Sequence, residues 1–105
     1  MRTLNFVLDG QRLMKDKNCD FSHLVAGSVG YLQAKFQFSS EWSGCRKAAS
    51  FWVGEEEHAV MINAQNECVI PSDALQTDSF KVSVTGMKDG YQITSSKIKI
   101  KQEVY

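Results

Sequence analysis

Proline occurs once, histidine twice and cysteine three times in this 105-residue sequence, and Lys+Arg cancel Asp+Glu at 12 each. Each scarcity excludes something. With zero formal net charge, no whole-molecule field draws nucleic acid or an anionic membrane, so neither is expected as a partner. Apolar runs of the ~18 to 20 residues needed to cross a bilayer are missing, as is a basic segment leading into an apolar signal core. Cys19, Cys45 and Cys68 lie 26 and 23 residues apart. That spacing lacks the close pairing that offers two sulfurs to one metal, so no metal site is expected. Their odd number points to reduced thiols and assembly in a cytoplasm. Cys68, beside Val69 and Ile70, reads as a buried apolar position.

Recognisable catalytic patterns are equally scarce. His23 and Cys19 are near enough in sequence to form a thiol-base pair, but no third orienting residue accompanies them. Glu55, Glu56 and Glu57 are adjacent, and adjacent residues on a strand point to opposite faces, which gives no paired carboxylates for acid-base work. The glycines never form a phosphate-cradling loop between a strand and a helix. The chain is therefore expected to be no enzyme and to use no cofactor.

What is present is alternation. Leu4, Phe6 and Leu8 alternate with polar neighbours, and Asp9-Gly10 supplies a tight turn leading back through Leu13. Residues 31–38 place Leu32, Ala34, Phe36 and Phe38 on one face and Tyr31, Gln33, Lys35 and Gln37 on the other. After Phe38, Ser39-Ser40-Glu41 should turn the chain so that Trp42 folds back as a lid over the core. Lys47 to Val53 and Ala59 to Asn63 predict a hairpin with Gly54 and the three glutamates at its tip. Cys68-Val69-Ile70 ends at Pro71, and Ser72 is the expected cap of one short helical turn. Phe80, Val82 and Val84 alternate to Gly86, Asp89-Gly90 offers another turn, and Ile93, Ile98 and Ile100 continue the pattern. Lys97, Lys99 and Lys101 mark the last strand as a sheet edge. These features predict one all-β domain over residues 1–105, an antiparallel sandwich with at most one short helical turn and Leu32, Phe36, Phe38, Ile70, Val82 and Val84 in its core.

Charge is uneven along the chain. Residues 54–80 carry six acids and no Lys or Arg, whereas 81–101 carry five lysines against Asp89. Such a division either orients two copies head to tail or decorates solvated faces. The acidic stretch Glu55, Glu56, Glu57 and His58 is the candidate interaction surface. Trp42 and Trp52, with the tyrosines Tyr31 and Tyr91, offer an alternative, because flat rings with a polar edge suit a sugar face, as in carbohydrate-binding or adhesin-like modules.

A family resemblance adds to this. His23 to Gly30, then Phe36-x-Phe38, Trp42-x-Gly44 and the strand to Phe51, resemble small structural proteins of phages and prophages of Gram-positive bacteria. Cys68-x-Ile70-Pro71 with Leu75, Phe80-x-Val82-x-Val84-x-Gly86 and Ile93-Thr94-Ser95 look like later motifs of the same family. The resemblance covers about residues 20 to 100. It implies an immunoglobulin-like sandwich similar to the N-terminal domain of baseplate upper and tail-fibre proteins. It implies a virion location after assembly in the bacterial host cytoplasm and other phage structural proteins as partners. It brings no catalytic residue with it. Strand edges without a lysine ladder add the expectation that the domain either self-associates as a homo-oligomer or binds another virion protein, through a sheet edge or the acidic 54–58 loop. The family's longer members continue into receptor-binding or fibre regions, so a chain with nothing after Tyr105 is expected to be a building block or adaptor.

Overall fold

The alternations become strands in the computed structural model, which describes residues 1–104. Leu4, Phe6 and Leu8 point inward along β1 (Arg2–Asp9). The Gly10-Gln11 turn then returns the chain as β2 (Arg12–Lys15), with Leu13 opposite Leu8. β3 (Leu32–Phe38) turns Leu32, Ala34 and Phe36 into the core, and Phe38 at its end is half-buried. The chain continues through β4 (Arg46–Val53), β5 (Glu56–Met61), β6 (Glu67–Val69), β7 (Ser79–Lys88), β8 (Tyr91–Thr94) and β9 (Ile98–Lys101). These strands form two sheets, β2-β1-β3-β6 and β5-β4-β7-β8, with β9 beside β7. β9 covers Ser79 to Val82 of β7 and β8 covers Thr85 to Lys88. As the lysines predict, β9 is an edge strand with Lys99 and Lys101 exposed, but it begins at Ile98, so Lys97 lies just before it.

Three expectations are corrected. The sandwich is not wholly antiparallel, because β1 and β3 run parallel, from Arg2 opposite Leu32 to Leu8 opposite Phe38. β2 has already led the chain back toward the Arg2 end of the sheet, so β3 must start from that end and run with β1. The described residues also form two 3-10 turns, Ser40–Trp42 and Ser72–Ala74, where at most one short helical turn was expected. The first forms because β3 closes with Ser39 N–H on Leu8 O, after which Trp42 N–H reaches Ser39 O at 3.1 Å. In the second, Ser72 lies inside the turn and Pro71 precedes it, its carbonyl accepting from Ala74 N–H. Finally, the acidic hairpin tip holds Gly54 and Glu55 only, and Glu56 and Glu57 belong to β5. Gly54 explains this, since its φ of +60° lets a two-residue turn close at once.

Leu32, Phe36, Ile70, Val82 and Val84 are buried as the alternations require. The two sheets bury different kinds of surface. The first carries a continuous aromatic row, Phe21, Phe6, Phe36, Phe38 and Trp42, with successive ring centroids 5.4, 5.4, 5.9 and 5.4 Å apart. The second meets it with the smaller Ala49, Val82 and Val84 beside Phe51 and Phe80. Trp42 ends the row with 0% exposure, and its Nε1–H donates to Gly10 O at 2.8 Å. Below the ring, Gly86 leaves no room for a side chain, because a Cβ there would lie 2.9 Å from Trp42 Cε3.

Candidate functional site

β5 presents the acidic stretch in two directions. Antiparallel pairing places Glu56 opposite Val53, Glu57 opposite Trp52 and His58 opposite Phe51. Phe51 is buried in the core, so His58 and Glu56 share the inward side and rim, whereas Glu57 stands on the outer face. Across two residues of strand, His58 Nε2 comes within 2.9 Å of Glu56 Oε1, close enough for an ion pair when the ring is protonated. The contact lacks hydrogen-bond alignment. Glu55 projects from the tip. The four residues thus form an edge with two faces rather than one acidic patch.

The outer face gathers residues that are distant in sequence. Glu57 accepts a hydrogen bond from Ser50 Oγ. Beside it, Trp52 Nε1–H donates to Ser83 Oγ at 2.9 Å, and Lys97 Nζ lies 3.8 Å from the Trp52 ring centroid. Ser50 and Ser83 are buried under these larger side chains. Further along the same sheet, Ala48, Met61, Thr85 and Met87, flanked by the cations Arg46 and Lys47, line a shallow, mainly apolar depression, with Met61 63% and Met87 48% exposed. No local pattern announces Ser83 or Lys97 as partners of Trp52, since sheet pairing alone brings them together.

The glycan alternative is corrected at Trp42, which is enclosed and has no face to offer a sugar. Trp52 is half-buried, and Lys97 occupies its ring. The thiol-base pair is likewise not assembled. Cys19 Sγ accepts from Asn5 N–H and faces Thr3 O, whereas His23 lies 3.6 Å from Glu103. Between them, the Ser22 hydroxyl and N–H donate to Asp20 and hold its carboxyl below the ordinary carboxylate range. Cys68 is buried, and loss of solvent pushes its thiol up to about 12.

Among the described residues, no group of three or more His, Cys, Asp or Glu side chains is placed to hold a metal ion. No helix there is long and apolar enough to cross a membrane. No family model matches the chain, and no curated protein matches it.

Proposed function

We propose that this chain is a structural or assembly protein of a phage or prophage virion, a non-catalytic interaction module of the tail, baseplate or fibre. On this reading its strand arrangement is immunoglobulin-like, with the parallel β1-β3 pair as a departure. It is assembled in the host cytoplasm and binds other phage structural proteins. The observation that carries the reading is the open β5 edge. Glu56 to Met61 pair with β4 on one side only, and exposed Met61 adjoins the shallow apolar depression. An unpaired edge beside exposed apolar surface suits strand addition by another protein. The stretches that resemble motifs of phage structural proteins are what suggest the virion setting.

Mass spectrometry of density-purified particles from the induced source strain tests this reading. The chain is expected at a copy number comparable with that of other tail proteins. Particles that contain every other tail protein and lack this chain would overturn it.

A further inference from the structure

The two outer strands of the second sheet match each other. Across the half of β7 that β9 covers, the order is β5-β4-β7-β9, and every neighbouring pair is antiparallel. β5 and β9 therefore run in opposite directions. A second copy set alongside in the same orientation brings its β5 against β9 as an antiparallel neighbour, with the same face outward. The backbone alternation agrees. Ile62 N–H bonds to Lys47 O on the β4 side and Gln102 N–H to Asp78 O on the β7 side. Alternation along antiparallel ladders then directs the even-numbered residues of β5 and β9 into the sheet and the odd-numbered ones to the open edge.

The residues whose backbone groups face the open edge are Lys99 and Lys101 in β9 and Glu57, Ala59 and Met61 in β5, with Glu55 in the turn just before it. Glu57 stands opposite Trp52, Trp52 opposite Lys81 and Lys81 opposite Lys99, so Glu57 and Lys99 end one row across the outer face. Among the described residues, Glu55, Glu57, Lys99 and Lys101 enter no ion pair. Beyond Lys101 the edge is closed, since Glu103 N–H bonds to Leu24 O and Ala26 N–H to Glu103 O. We propose that copies of this chain associate head to tail, β9 of one against β5 of the next, with Lys99 facing Glu57 and Lys101 facing Glu55. This rests on the reading of the chain as an assembly module. Opposite charges across a strand pair stabilise it and like charges oppose it. β9 against β9 would set lysine on lysine, and β5 against β5 would leave the glutamates without a cation. The lysines thus repel indiscriminate partners while admitting the acidic edge of a second copy.

Charge exchange measured by sedimentation in low salt tests the contact. The full chain is expected to associate beyond a dimer, since a head-to-tail contact leaves each end open unless a ring closes. Association should weaken as the Debye length falls from ~10 Å to ~3 Å. Glu55→Lys/Glu57→Lys and Lys99→Glu/Lys101→Glu should each weaken association by about tenfold or more, through one cross-strand pair, Glu57 with Lys99, and one pair at the hairpin tip, Glu55 with Lys101, turned repulsive. Mixing the two variants restores opposite charges at every contact, and association should return. That recovery also establishes that both variants fold. A wild-type chain that stays monomeric at millimolar concentration, stops at a dimer, or gives variants that do not recover on mixing overturns the proposal. Absence from virions would not bear on these outcomes, so the two readings fail separately.

Discussion

Trp42 and Trp52 are ten residues apart, and the fold uses them in opposite ways. Trp42 is enclosed at the end of an aromatic row, hydrogen-bonded to Gly10 O and backed by Gly86. Trp52 lies on the outer face of the other sheet, over Ser83 and under Lys97. Position within the strand pattern makes the difference. Trp42 follows an inward-facing run past its end and is turned back by the 3-10 turn. Trp52 sits one residue after inward-facing Phe51 and must face outward. One ring closes the core. The other lies over buried Ser83 and stays in contact with solvent.

The contrast has its largest test at Trp42. Trp42→Ala should cost about 3–5 kcal/mol, a large part of the ~5–15 kcal/mol typical of a domain, and leave a chain that melts far lower or fails to fold. A melting curve within a few degrees of wild type would show that the ring is not the lid described above.

A pH series sharpens the same comparison on the enclosed side. The unfolded chain releases the Cys68 proton near the ordinary value of 9.0, whereas the folded protein keeps it to about 12. Stability from this group is therefore full below about pH 9 and falls by up to about 1.4 kcal/mol per pH unit as pH rises toward 12. Urea unfolding of wild type and Cys68→Ala from pH 7 to 11 should show the gap between them closing above pH 9. A gap that stays constant with pH would contradict the enclosed thiol.

On the open side the expected effect is smaller. Trp52→Ala removes a half-exposed ring, one hydrogen bond to Ser83 and the Lys97 contact, for about 1–2 kcal/mol. Chemical denaturation should place this variant well above Trp42→Ala. Equal losses at the two tryptophans would erase the distinction.

Most of the strand pattern was legible because alternation is local. Leu32, Ala34 and Phe36 announce both strand and face, and the lysines of β9 announce an edge. The Trp42 lid was legible as well, since the inward run ends at Phe38 and the serines force a turn. The parallel β1-β3 pair was not, because nothing within Arg2–Asp9 or Leu32–Phe38 encodes which strand will lie alongside or in which direction. At the candidate surface, the acidic residues were visible but their division between two faces depended on where the turn closed. Gly54 closes it immediately and moves Glu56 and Glu57 into β5. The partners of Trp52 were invisible for the same long-range reason, being 31 and 45 residues away.

The parallel pair also governs how the chain finds its shape in time. Register across the first sheet joins Arg2 to Leu32 and then Ala34 to Cys68, while Val25 waits for Glu103 near the far end of the chain. Few of these contacts are available to a partly made polypeptide, and the loops that must close before they form are long. Chains dominated by such distant pairings fold in roughly milliseconds to seconds. The β1-β2 hairpin is local, but the apolar face it offers is completed only when residues as distant as Val82, Val84 and Ile100 have joined the same core.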